Sequence, residues 1–171
     1  MLKHVLPKLG VQEYQFIVFE GKQDLQKRLN RILQTWQEVN CIFLVVQDQD
    51  SGDCYKIKSK LVSLCTDTSQ EVMIRIACRE LESFYLGDLA AVEQGLDLPG
   101  ISRHQDKRKF RDPDRLGNPV QELSALTKNA YQKVLGSRKI SPYLNLNNNK
   151  SRSFNVLIKG ITRLVECTTS T

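Results

Sequence analysis

The sequence is short of the side chains that most often build metal clusters: its 171 residues include two histidines. Its five cysteines, Cys41, Cys54, Cys65, Cys78 and Cys167, are odd in number, and none falls in a Cys-x-x-Cys pair. Structural zinc takes four closely spaced cysteine or histidine ligands, so this pattern argues against a zinc cluster. It points instead to reduced thiols in or near the core. No apolar run approaches the roughly 20 residues needed to cross a bilayer. The opening Met1-Leu2-Lys3-His4-Val5 lacks the charged, long apolar and small-residue regions of a signal peptide. These absences lead us to expect a cytoplasmic protein. No internal repeat and no Walker A motif is visible; Asn145-Leu146-Asn147-Asn148-Asn149 is the one low-complexity patch and reads as a turn or loop.

What is present is ordinary for a globular chain: 40% hydrophobic and 26% charged residues, at a length that suits one domain able to bury its own core. A single domain over 1–171 is therefore expected. The charge is unevenly placed. Residues 1–100 carry 11 Lys+Arg and 14 Asp+Glu, a net of −3, whereas residues 101–171 carry 14 and 5, a net of +9. Such a basic C-terminal part suits a polyanionic partner such as nucleic acid; a solvated basic surface is the plainer alternative.

Three apolar runs read as strands: Tyr14–Phe19, Cys41–Val46 and Val72–Ala77. The second is continuous, as in a strand covered on both faces. Between them lie two amphipathic stretches. In Gln23–Gln37, Leu25, Leu29, Ile32, Leu33 and Trp36 share one face; in Cys54–Cys65, Ile57, Leu61 and Leu64 do. A third helix is expected from Arg79, with Leu81, Tyr85, Leu89 and Val92 on its inner face. Strand–helix alternation implies a parallel sheet and an α/β core over 1–100. The polar, basic stretch 101–118 precedes a helix expected from Pro119 to about Val134, ended by Gly136. A last helix begins near Ser151 or Ser153, with Phe154, Leu157, Ile158, Ile161 and Leu164 as its apolar stripe. This basic helical extension, 101–171, is expected to pack on the core.

Ligands of parallel sheets bind beyond the carboxyl ends of the strands. Asp48, Asp50 and Asp53 follow the most apolar strand directly. Residues two apart on an extended chain point the same way, so Asp48 and Asp50 can face one cation. Magnesium, or manganese in its place, suits such oxygen ligands and can stabilise phosphoryl oxygens. The alternative is a turn, with Asp53 capping the next helix. Glu80 and Glu82 follow the third strand. If the chain is still extended at Glu80, that carboxylate emerges at the same edge as Asp48; on a helix the two diverge by about 200°, so one of them, not both, would face the site as the catalytic carboxylate that completes the metal shell or orients water. Glutamates in a helix first turn, stabilised by its dipole, are the plainer alternative. Phe19-Glu20-Gly21-Lys22 is a candidate anion-binding corner. Arg103, Lys107, Arg108, Lys109 and Arg111 form a basic run around Phe110, suited to gripping phosphates with some base stacking.

Several segments together resemble one family: Phe19–Leu25, Val46-Gln47-Asp48-Gln49-Asp50 with Asp53-Cys54, Ile76–Phe84 ending in Leu86-Gly87-Asp88, Tyr131-Gln132-Lys133 and Ser151-Arg152-Ser153-Phe154. The family is an uncharacterised bacterial one regarded as Toprim-like, the fold of topoisomerases, primases and OLD-type nucleases, often encoded beside an ATPase. The resemblance implies a three-layer α/β/α fold with a small, mostly parallel sheet. It implies magnesium on Asp48 and Asp50, an acidic motif at Glu80 and Glu82, and metal-dependent phosphotransfer on nucleic acid, with Lys133 among the basic contacts and an ATPase subunit as a partner. In that family a strand ending in a glutamate precedes a helix resembling Met1–Leu9, so that strand is expected to be missing here. On a rival alignment, Glu20 in Val18-Phe19-Glu20-Gly21-Lys22 is that glutamate. Two other readings stay open: a non-catalytic partner subunit, and a receiver-like phospho-acceptor, for which no matching Ser/Thr and Lys series is seen.

Overall fold

A computed structural model describes residues 1–38, 41–66 and 68–169. Within them the chain forms two strands and eight α-helices: α1 (Leu2–Lys8), α2 (Lys22–Thr35), β1 (Ile42–Asp48), α3 (Cys54–Ser63), β2 (Glu71–Ala77), α4 (Glu82–Leu86), α5 (Leu89–Leu96), α6 (Pro119–Leu126), α7 (Lys133–Ile140) and α8 (Arg152–Thr169). Three short 3-10 turns lie at Ser102–His104, Pro113–Arg115 and Ser141–Tyr143. The protein is thus α/β, with a small parallel sheet. β1 and β2 pair in parallel with α3 as their connection, in a register that runs from Ile42 opposite Glu71 to Asp48 opposite Ala77.

The two-residue period of the strands divides their side chains between two apolar clusters. Phe43, Val45, Val72, Ile74 and Ile76 join Leu25, Leu29 and Leu33 of α2 and Leu61 of α3. Leu44, Val46, Met73 and Ala77 join a larger cluster that gathers α1, α4, α5 and α8 with Phe110, Leu123, Tyr131 and Ile140. The second cluster draws on both halves of the chain. Asp48 is in phase with Leu44 and Val46, so its side chain projects on the side of the larger cluster, beyond the apolar part of the sheet.

Several expectations need correction. Tyr14–Phe19 is not a strand. It runs outside the sheet, with Val18 84% exposed, and its aromatics make local contacts: Tyr14 meets Phe16 edge-on, Lys3 lies over Phe16, and Arg28 over Phe19. β-propensity is realised only where a pleated, half-buried neighbour exists, and this segment finds none. The helix expected over Pro119–Val134 is two helices. It stops at Leu126, Lys128 and Asn129 take left-handed φ values of 50° and 66°, and α7 begins at Lys133. Gly136 does not end a helix but lies buried within α7. A Cβ there would stand 2.4 Å from the Tyr131 ring, so glycine permits that close approach. The helix expected from Arg79 starts later, at Glu82, and breaks at Gly87-Asp88, where Asp88 caps α5.

The exposure of Val18 outside the sheet, with only Phe19 of the segment packed against the α2 cluster, has a measurable consequence. In urea denaturation, Val18→Ala should change stability by no more than about 0.5 kcal/mol. Leu61→Ala, at a position with 0% exposure, should cost about 2–5 kcal/mol. A loss at Val18 comparable to that at Leu61 would mean that the segment is a sheet strand after all.

Candidate functional site

The carboxyl ends of β1 and β2 are tied past the last ladder pair. Gln49 N–H donates to Ala77 O at 2.9 Å, and Asp50 N–H to Arg79 O at 2.7 Å. The Gln49 side chain accepts from Arg79 N–H and donates to Gly52 O. Asp50 and Arg79 both adopt left-handed φ, 52° and 61°. That conformation costs a non-glycine residue about 1–2 kcal/mol, and it persists here because the bonds between the two turns hold it.

The left-handed turn decides what the aspartates can do together. Extended geometry ends at Asp50, so the two-residue rule no longer aligns its carboxylate with that of Asp48. Asp50 instead pairs with Lys22 Nζ at 3.2 Å, at the exposed Phe19–Lys22 corner. That corner is otherwise closed by Asp24, whose carboxylate accepts the Glu20 N–H. Asp53 caps α3, accepting from Lys56 N–H at 2.8 Å, which is the turn-and-cap arrangement.

Glu82 takes the place beside Asp48. It is the first residue of α4, is 4% exposed, and accepts a hydrogen bond from the Tyr131 hydroxyl at 2.8 Å. Burial pushes the Asp48 carboxyl up from 3.8 to about 6, and repulsion first from Glu82 and then from Asp50 adds to it. The Leu81 N–H and the Lys133 ammonium oppose the shift. Burial and the adjoining Glu82 raise the Tyr131 phenol far above its usual range, so it stays a donor. Glu80 points elsewhere: its carboxylate accepts the Val120 N–H at 3.0 Å, satisfying one of the open donors at the start of α6. One glutamate of the pair faces the aspartate and the other anchors a helix.

Other side chains fix this arrangement. Tyr85, fully buried on α4, bonds to Ser137 and Ser141 around α7. Ser153 Oγ accepts the Cys78 N–H, and Asp114 receives both the Ser151 hydroxyl and the Ser153 N–H, so the start of α8 is pinned to the end of β2. Tyr131 was not among the residues singled out for chemistry, although Tyr131-Gln132-Lys133 stood out as a segment. It follows a helix break that the sequence pattern concealed.

The basic run is dispersed. Arg103 bonds to Gly100 O, Arg111 to Asp106 O, and Lys109 pairs with Glu122; Lys107 and Arg108 are exposed. Phe110 is 6% exposed in the core and unavailable for base stacking. Lys133 is drawn to Asp48 instead. Among the described residues, no group of three or more His, Cys, Asp or Glu side chains is close enough to hold a metal ion, and no helix is long and apolar enough to cross a membrane. No family model, no curated protein and no solved structure matches the chain.

Because the folded state binds the Asp48 proton more tightly than the unfolded chain, the contribution of this group to stability is complete below about pH 4. It is lost as the pH rises through about 6. Metal-free protein should therefore lose on the order of 2 kcal/mol of stability across that window. Asp48→Asn should flatten the profile and be more stable than wild type at pH 7.5; a variant less stable there would contradict the repulsion. Tyr131→Phe keeps the ring but leaves a buried carboxylate without its donor, which should cost about 1–3 kcal/mol by denaturant melting.

Proposed function

We propose that this chain is a Toprim-like, three-layer α/β/α phosphotransfer protein that works on nucleic acid with magnesium or manganese, and that Asp48 and Glu82 are the carboxylates that hold the metal. The observation that carries the proposal is the Asp48–Glu82 pair. Two carboxylates from different elements lie close enough to interact, half-buried to buried, beyond the carboxyl ends of a parallel sheet, where burial and the charge of Glu82 oppose ionisation of Asp48. A divalent cation would remove that repulsion. The donor set is all oxygen, and magnesium characteristically takes one or two carboxylates and completes its shell with water. Asp50 would join only on leaving Lys22. Bound there, the metal would acidify a coordinated water and stabilise phosphoryl oxygens.

The chain's own groups have distinct parts in this reading. Tyr131 fixes the Glu82 carboxylate through a donated hydrogen bond. Lys133 lies where a substrate phosphate would approach the pair. Glu80 is a positioning residue through α6. A second reading is a non-catalytic subunit that binds nucleic acid, or an ATPase, with the acidic pair as a purely structural feature. It draws support from the ease with which Asp48 can hold a proton and dispense with a cation.

Melting wild type and Asp48→Asn with manganese at pH 7.5 separates the two. A ligand that binds only the native state adds about 2.7 kcal/mol at a hundredfold excess over Kd. The metal reading predicts a gain in wild type that is absent in Asp48→Asn and shrinks below pH 6, as protons compete for Asp48. Equal responses in the two proteins would leave the structural reading.

A further inference from the structure

The exposed side of α8 carries a row of cations beside a cleft. Arg152, Lys159 and Arg163 are exposed and fall within about 40° of one another around the helix, from its 3.6-residue period. A half-open cleft of about 520 Å³ lies along this side, lined by Leu146, Asn147, Asn155, Lys159, Thr162 and Arg163, with Ile158 at its floor. Lys22, Arg28, Lys109 and Arg115 each pair with a carboxylate, and many other surface cations of the described residues, Lys27 and Arg31 among them, do not; what sets the α8 row apart is the cleft beside it and Arg75 beneath it. Among the described residues, no ion pair engages Arg75, Lys159 or Arg163.

Arg75 makes the arrangement more than a solvated helix face. Its side chain leaves β2 on the α8 side and its Nε donates to Val156 O at 3.4 Å. A Cβ at Gly160 would lie 2.4 Å from its guanidinium, so the glycine lets Arg75 lie flat against the helix backbone. The guanidinium is partly desolvated and is destabilised further by Arg163. Two like charges are thus held near each other, with no ion pair to either among the described residues. The carboxylates nearby are Glu166, toward the end of α8, and Glu71, in the shallow groove beside Arg75.

We propose that this cleft is a phosphoryl-anion site, with Lys159 and Arg163 as its charged contacts, Asn147 and Asn155 at its walls and Arg75 reinforcing the field, and that the anion is the phosphodiester backbone of nucleic acid. The identity of the anion rests on the function proposed above; the charge and shape of the cleft do not. Arginine and lysine without carboxylate partners, in a concave setting with amide donors, match the chemistry by which proteins hold backbone phosphates. The site is separate from the run at 103–111. α8 leads to it from Ser153, which is bonded to the end of β2, so a strand lying on α8 would extend from the acidic pair's side of the sheet.

The test is fluorescence anisotropy of a labelled 20-base-pair DNA duplex across a salt series, with EDTA present so that metal binding plays no part. Each variant is first checked by thermal melting. Each phosphate contact contributes about −0.9 to the slope of log K against log salt. Lys159→Gln/Arg163→Gln should weaken binding at least tenfold at low salt and make the slope shallower by about 1.8. The charge-matched control Lys27→Gln/Arg31→Gln, on α2 across the sheet, should change either only slightly. A parallel arm titrates pyrophosphate against thermal stability. Stabilisation of wild type but not of the α8 variant, without duplex binding, would uphold the anion site and assign it to a free phosphorylated ligand. An α8 variant no different from the α2 control in both arms would overturn the proposal.

Discussion

The burial of Asp48 beside Glu82 at the strand ends is the constraint around which the polar framework of this protein is arranged. Neither carboxylate has a cation partner within ion-pair distance among the described residues, yet Glu82 is almost fully buried. Left alone, Asp48 would turn to solvent or protonate, because a desolvated carboxylate beside another is costly. Three features keep them together. Tyr131 donates to Glu82, with Gly136 making room for its ring. Tyr85 fastens α4 to the α7 region, and Glu80 fastens the same turn to α6. Asp114, Ser151 and Ser153 hold the start of α8 against the end of β2. Much of the basic, helical half of the chain thus serves to fix two acidic groups contributed by the other half.

The sheet itself is small for such a task. Two parallel strands have little stability of their own, and parallel pairs persist where both faces are covered. Here α2 and α3 supply one cluster and α1, α4, α5 and α8 the other, so strand pairing and helix packing depend on one another. The left-handed turns at Asp50 and Arg79 extend the pairing past the ladder and give the strand ends a fixed shape. The same turns send Asp50 to Lys22, and Glu82 becomes the stronger acidic influence on Asp48.

Much of the architecture was legible in the residue pattern. The helical spacing of Leu25, Leu29 and Leu33, the apolar run before Asp48 and the stripe from Phe154 to Ile161 each found the element they implied. The failures have physical causes. Tyr14–Phe19 has the composition of a strand, but propensity cannot supply a neighbour to pair with. The break between Leu126 and Lys133 depends on left-handed residues that are neither glycine nor proline, so no punctuation marks it. At the site, position at a strand end singled out Asp48, whereas the helix period invoked for Glu80 and Glu82 does not apply, because Glu80 lies ahead of α4 and is turned to α6 by its bond to Val120. The partnership of Asp50 with Lys22 and of Tyr131 with Glu82 spans 28 and 49 residues of chain, and local pattern carries no information at that range. The clustering of Phe110 in the core was hidden for a similar reason: five cations around it made an interior residue look like a surface one.

The central claim is that Asp48 and Glu82 share a desolvated position at the strand ends and that a divalent cation relieves their repulsion. Its most direct test is a pH titration of the side-chain carboxyl carbons by NMR, with and without magnesium, assigned through Asp48→Asn. The account predicts that Asp48 titrates near pH 6 in metal-free protein and well below that when magnesium is present. An Asp48 midpoint near 4 without metal would show that the two carboxylates do not meet as described. A midpoint near 6 that magnesium fails to move would show that Asp48 is desolvated as described but is not a metal site.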